Sequence, residues 1–378
     1  MKSGSLDQLD TPAVVVEHKV LLENIQWAQT VAVRNGLALR PHIKTHKCFE
    51  IARLQLAAGA TGITASKAEE ATKFIEAGFN SITVAYPVVQ CSKLVPLFQA
   101  AREKSVDLRV IIDSDVGFAV LKESATKVGY RPGVFLKVDV GLHRVGVAAD
   151  SAELIRLGAA IVATPALQFV GLLSHAGHAY SAAGPTEIRE IARQEARQLA
   201  IARERLASIG VNVREISIGS TPTVLASDCY EGITEIRPGN YVFMDRTPLR
   251  LGLLGTERVA LSIVSSIVSA NDDYLIIDAG SKVLSSDLGA HGTGTADGFG
   301  VAYPIDGYRE TGAAALIAKL SEEHGFIPRS AIAGEIGGKV RIIPNHACPV
   351  VNLADQLSVV HEDGRLEKWR VTARGAVH

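Results

Sequence analysis

The chain has 378 residues, 47% of them hydrophobic and 21% charged, with a formal net charge of −1 at neutral pH. That length suits a barrel-sized domain plus a second domain, and the near-zero charge argues against nucleic acid or an anionic membrane as the main partner. Cys48, Cys91, Cys229 and Cys348 lack both the CxxC spacing of a structural zinc site and the density of a disulfide framework, so they read as thiols of a reducing compartment. The opening MKSGSLDQLDTPAVVV holds no apolar signal core, and no apolar run is long enough to span a bilayer. A soluble, cytoplasmic protein is expected.

In chain order, the segments that read as strands are LALRPHI (37–43), TGITAS (61–66), SITVAY (81–86), LRVIID (108–113), VFLKVDV (134–140), LQFVGLLSH (167–175), REISIG (214–219) and TEIRPGNYV (234–242). They are rich in Val, Ile and Leu and bounded by Gly, Pro, Asp or Ser. Between them lie helical patterns such as CFEIARLQLAAG and PTEIREIARQEARQLAIARERLASIG. Eight strands with helical crossovers predict an α/β protein with a (β/α)8 TIM barrel over 11–250. An open doubly wound sheet shares this grammar, but no GxGxxG follows the first strand. Beyond about residue 250 the pattern changes to strands joined by turns, with a DG hairpin signal in HEDGRLEKW. A mainly antiparallel β domain is expected over 251–378. The strand-like TPAVVVE (11–17) fits either unit, so residues 1–17 are candidates to complete the second.

Chemistry-bearing residues follow the strands. Lys44, in RPHIKTHK, stands at the end of the first, where barrel enzymes place reactive groups. A lysine in a partly desolvated mouth has a reactive free amine; the plainer alternative is an exposed lysine beside Lys47. SIGSTPT follows the seventh strand, and its Gly219, Ser220 and Thr221 offer backbone N–H groups and hydroxyls ahead of a helix start at Pro222. Gly239, Asn240 and Tyr241 follow the eighth. Loops after strands seven and eight often bind phosphate in barrels, although a simple Ser/Thr helix cap also fits. His143 and Arg144, in GLHRVGV after the fifth strand, present a guanidinium that suits a phenolate or a ring nitrogen. SHAGHAY, after the sixth, brings His175, His178 and Tyr180 to the place a substrate would occupy.

In IPNHACPVV, His346 and Cys348 are two apart, so a strand would set both on one face. Imidazole and thiolate suit a divalent metal, and two ligands leave positions open for substrate and water. Glu323 and His324 of SEEHG offer a further polar cluster.

RPHIKTHK, GLHRVGV, SHAGHAY, SIGSTPT, RPGNYVF and IPNHAC, in this order, resemble the D-threonine aldolase and D-serine dehydratase group of fold-type III pyridoxal-phosphate enzymes, related to alanine racemase. The resemblance covers nearly the whole chain. It implies that Lys44 carries pyridoxal 5'-phosphate as a Schiff base. It also implies that Gly219, Ser220, Thr221, Gly239, Asn240 and Tyr241 surround the phosphate, and that Arg144 and Tyr180 lie beside the ring. His346 and Cys348 would hold a divalent metal (zinc, manganese, cobalt or magnesium) next to a D-β-hydroxy-amino acid substrate. Members are usually homodimers. The implied activity is a metal-assisted lyase reaction: retro-aldol cleavage with His178 as the hydroxyl base, towards which the reading leans, or β-elimination with Lys44 removing the Cα proton. An amino-acid racemase, or a non-catalytic carrier of the cofactor, is the remaining alternative.

Overall fold

The computed structural model describes residues 6–289, 297–308 and 314–378. The first five residues of the N-terminal segment, and the gaps inside 251–378, lie outside the described residues. The chain divides into two compact units that interleave in sequence: Ala28–Lys44, Ile51–Gly239 and Gly375–His378 form one, and Met1–Trp27, Thr45–Glu50 and Asn240–Arg374 the other.

The first unit is built on eight parallel strands. From one end of the ladder they run Ala38–Leu39, Glu235–Ile236, Glu215–Ile218, Gln168–Leu173, Gly133–Asp139, Asp107–Ile112, Ser81–Val84 and Ile63–Ala65. A parallel bridge between His42 and Thr64 joins the last strand to the first, with Thr64 N–H donating to Pro41 O at 2.8 Å and Thr61 N–H to Leu39 O at 2.9 Å. The ladder therefore closes, and the open-sheet alternative falls away because it would leave two edges. Six of the seven residues of Gly133–Asp139 are buried, as expected of a strand covered on both faces. Ile111, Phe135, Val170 and Leu173 form an apolar cluster of this unit. The helices fall where the periodicity placed them, including Phe49–Ala57 and Pro185–Ala207.

The second unit is a mainly antiparallel sheet. Leu261–Ala270 pairs with Ala13–Glu17, Lys339–Ile343 and Tyr274–Ile277, antiparallel each time. TPAVVVE belongs here: Ala13–Glu17 pairs with Leu261–Ala270 on one side and, in parallel, with Gln356–Val360 on the other. Val15, Val264 and Val360 share a core cluster with Leu6, Leu9 and Ala13, so the apolar N-terminal run is buried in this sheet. The DG hairpin is present: Gln356–Val360 and Leu366–Arg370 pair antiparallel, and Gly364 takes φ of 89° in the turn.

One expectation is corrected. His346 and Cys348 do not lie on a strand. The strand ends at Ile343, His346 is the N-cap of the helix Ala347–Leu353, and Cys348 is in that helix's first turn. Pro344 cannot donate to the ladder, and Pro349 suits a first helical turn.

Candidate active site

In the barrel unit the functional candidates all follow the C-terminal ends of strands, the rim on which barrels carry their chemistry. Lys44 is half-buried in the single 3-10 turn Ile43–Thr45, just past the His42 bridge. Its backbone N–H faces His42 Nδ1 at 3.4 Å, and His42 Nε2 lies 3.5 Å from Ser66 Oγ.

The turn after Glu215–Ile218 has the features of an anion cradle. Gly219 has φ of 146°, and a Cβ there would stand 2.8 Å from Arg237 N and 3.1 Å from its carbonyl carbon, so only glycine fits. His175 Nδ1 holds Gly219 O at 2.7 Å. Arg237, itself buried, braces the same turn by donating to Ser217 Oγ at 2.7 Å and to Ser174 O at 2.5 Å. Ser220 and Thr223 form a reciprocal capping box, so the helix-cap reading holds for the Ser220 hydroxyl. Thr221 is different. Its Oγ1 is buried and has no hydrogen-bond partner among the described residues. A buried hydroxyl without a partner costs about 1–3 kcal/mol, a cost that a phosphate oxygen would remove. Gly239, Asn240 and Tyr241 follow the last barrel strand. Asn240 and Tyr241 are buried, and the Asn240 Nδ2 donor is committed to Asp245 Oδ2 at 2.7 Å, while Asn240 Oδ1 has no partner among the described residues.

The loops after the fifth and sixth strands meet. Gly141 has φ of 117°, and a Cβ there would lie 3.3 Å from His178 Cε1. Asp139 accepts from Gly141 N at 3.1 Å, His143 N at 3.0 Å and His143 Nδ1 at 2.8 Å, which shapes that loop. Burial pushes Asp139 up, but these hydrogen bonds outweigh it and hold the carboxyl below its ordinary value. His178 Nδ1 is buried with no partner among the described residues. Burial lowers the His178 pKa, with Asp139 opposing, which favours a neutral imidazole able to accept a proton. Tyr180 is buried and interacts electrostatically with the exposed Arg144.

In the second unit, the His346 and Cys348 side chains stand at the start of the helix Ala347–Leu353 and interact electrostatically. The Cys348 thiol donates to Thr45 Oγ1 at 3.3 Å, and His346 Nδ1 lies 2.7 Å from Asp287 Oδ2. Burial lowers the His346 pKa, but Cys348, Asp287 and Asp245 outweigh it and push the imidazole up to about 10. Asp245 anchors the turn, accepting from Ala347 N at 2.9 Å and Thr247 N at 2.9 Å. Among the described residues no group of three or more His, Cys, Asp or Glu is placed to hold a metal. His346 and Cys348 are the imidazole and thiol donors that the IPNHAC segment brings to this place. Glu323 and His324 are exposed and engaged elsewhere, by Lys282 at 2.5 Å and by Ser321.

Residues 16–247 match the family model described as alanine racemase, N-terminal domain, and residues 260–360 match a serine dehydratase domain model. A D-threo-3-hydroxyaspartate dehydratase of Delftia sp. (strain HT23) is 32% identical over 96% of this chain and 97% of its own length. Its solved structure superposes with a TM-score of 0.89 at 31% identity, covering 97% of this chain and 98% of that one. The chain belongs to the alanine racemase-like, fold-type III pyridoxal-phosphate enzymes. Within that family, a D-serine dehydratase of Dictyostelium discoideum is 31% identical over 96% of both chains. A D-threonine aldolase of Arthrobacter sp. is also 31% identical, over 98% of this chain and 94% of its own. Solved variants of the hydroxyaspartate dehydratase replace a histidine and a cysteine two positions apart, the cysteine variant being in the metal-free form.

Three residues of this fold-type III chain escape a reading of motifs. Lys137, in the buried strand Gly133–Asp139, is lowered to about 7 by burial and by the Arg237 charge, with Glu195 opposing. Its only signal is a lysine inside an apolar strand run. Asp287 and Asp245 carry no signal, because each reaches its partner across a long stretch of chain. No helix among the described residues is long and apolar enough to cross a membrane.

Proposed function

We propose that this chain is a pyridoxal-phosphate- and divalent-metal-dependent lyase acting on D-β-hydroxy-amino acids, and that it works by β-elimination to an oxo acid and ammonia. The carrying observation is the His346–Cys348 pair. Its spacing equals that of the histidine and cysteine altered in the Delftia dehydratase variants, one of which is metal-free. A racemase has no use for a metal, which argues against that alternative.

The residues divide the work. Lys44 would hold the cofactor through its amine and would take the proton at Cα as the base. Gly219 and Thr221 would receive the phosphate, with the backbone held by His175 and Arg237. Ser220, whose hydroxyl and N–H are both committed to the cap with Thr223, would shape that turn, while Gly239, Tyr241 and Asn240, with its amide nitrogen on Asp245, would offer main-chain groups. Tyr180 and Arg144 would lie beside the ring. The cofactor would supply an electron sink at Cα, and His346 and Cys348 would hold a metal that polarises the β-oxygen. A thiolate donor favours zinc over manganese, cobalt or magnesium. The family resemblance supports a homodimer.

Retro-aldol cleavage is the second reading, favoured by His178. Its buried, unpartnered Nδ1 and lowered pKa suit it to take a proton from a β-hydroxyl. Incubation of the metal-loaded holoenzyme with D-threonine separates the two. Elimination yields 2-oxobutanoate and ammonia, and Lys44→Ala yields neither. Glycine and acetaldehyde as the only products would overturn the elimination in favour of the aldolase.

A further inference from the structure

We propose that Asp287 is a positioning residue for the metal: it fixes the ring of His346 so that Nε2 faces the ion. The inference rests on the reading of His346 and Cys348 as metal ligands. His346 Nδ1 lies 2.7 Å from Asp287 Oδ2, the distance of a charge-assisted hydrogen bond. A proton held on Nδ1 leaves the lone pair on Nε2, the arrangement a metal-binding imidazole needs. The carboxylate is itself held. Asp287 Oδ1 accepts from Gly289 N at 3.0 Å, so both oxygens are engaged within the chain. Asn345, the residue before His346, is buried and fastened on three sides. Its Nδ2 donates to Gly298 O at 2.9 Å and, more weakly, to Asp287 O at 3.4 Å, while its Oδ1 accepts from Arg246 at 3.0 Å. The imidazole, its carboxylate and the intervening backbone thus form one hydrogen-bonded set, assembled from residues 59 apart in sequence.

An ordinary partly exposed ion pair would leave metal affinity unmoved. A positioning carboxylate typically accounts for about 10–100-fold in metal affinity. The test is zinc binding to the cofactor-loaded protein by competition with a chromophoric chelator, for the native chain, Asp287→Ala, Asp287→Asn and His346→Ala. Asp287→Ala is expected to weaken zinc binding about 10–100-fold. Asp287→Asn keeps an acceptor oxygen without the charge and should fall between alanine and native. Native zinc affinity in Asp287→Ala, alongside loss of binding in His346→Ala, overturns the proposal and leaves the metal pair standing. Native affinity in His346→Ala instead overturns the metal pair itself. Should the alanine variant not fold, Asp287→Asn decides alone: a loss of about threefold or more is expected, and native affinity refutes the positioning role.

Discussion

Two threonines two positions apart should respond to the same substitution with opposite signs. Thr221 Oγ1 is buried and has no partner among the described residues, so in the cofactor-free protein it carries a desolvation cost of about 1–3 kcal/mol. Thr221→Val removes that hydroxyl in nearly the same volume, and the apo protein should be more stable by a similar amount. For a unit of this size each kcal/mol raises Tm by about 2–4 °C. If Thr221 receives the phosphate as proposed, the same change also removes a donor to it, and a hydrogen bond to a charged group is worth about 1.5–3 kcal/mol, so cofactor affinity should fall by about tenfold to a hundredfold. Thr223 is the control. Its Oγ1 accepts from Ser220 N at 3.2 Å and donates to Ser220 O at 3.0 Å, so Thr223→Val breaks the capping box and should destabilise the apo protein by about 1 kcal/mol. Calorimetry of the apo proteins and titration with pyridoxal 5'-phosphate, followed by absorbance, read both effects. A Thr221→Val variant that is less stable when apo and binds the cofactor normally would show that the hydroxyl is structural, and the phosphate assignment would fail.

Gly219→Ala forces a Cβ to 2.8 Å from Arg237 N at φ of 146°, so a loss of about 1–3 kcal/mol and weaker cofactor binding are expected, read by the same two measurements. Lys137 predicts a pH slope. Its folded pKa of about 7 lies below the ordinary lysine value of 10.5, so between these values the unfolded chain binds the extra proton and stability rises with pH. Relative to Lys137→Met, the native chain should gain at most about 1.4 kcal/mol per pH unit across that window and lose it as the pH falls back towards 7. Parallel Tm-against-pH curves for the two proteins from pH 7 to 10 would contradict a buried, neutral lysine.

Backbone periodicity and turn chemistry were legible where they act locally. Each of the eight apolar runs contributes a barrel strand, even where the paired length is short, as at Ala38–Leu39 and Glu235–Ile236. The backbone bonds run on past these short strands, with His42 N–H donating to Pro238 O at 3.0 Å, and the chain delivers Lys44 and Gly239 just beyond. The glycine of SIGSTPT was legible as a turn residue, and it takes a positive φ, although the backbone that crowds it, at Arg237, comes from a neighbouring strand. TPAVVVE was readable as a strand but not as a member of either unit, because a valine run does not name its neighbours. The IPNHAC segment misled through spacing alone. Alternation at two residues fits a strand, yet the prolines on both sides of the pair end the strand and start a helix.

The residues that remained hidden act through charge held at a distance. In LKVDV the apolar pattern says buried and the ammonium says exposed, and nothing within the segment resolves the conflict. Its resolution is a buried network drawn from other elements. Arg40 pairs with Glu235 at 2.8 Å, Ser217 donates to Glu235 at 2.5 Å and receives Arg237 at 2.7 Å, and Ser174 donates to Glu195 at 2.5 Å. Arg237 raises the cost of a charge on Lys137 while Glu195 lowers it, and burial decides the balance. The same network ends in the Arg237 backbone that leaves no room for a side chain at position 219. The SIGSTPT turn is therefore braced by buried charges, and its geometry depends on residues that no motif around it contains.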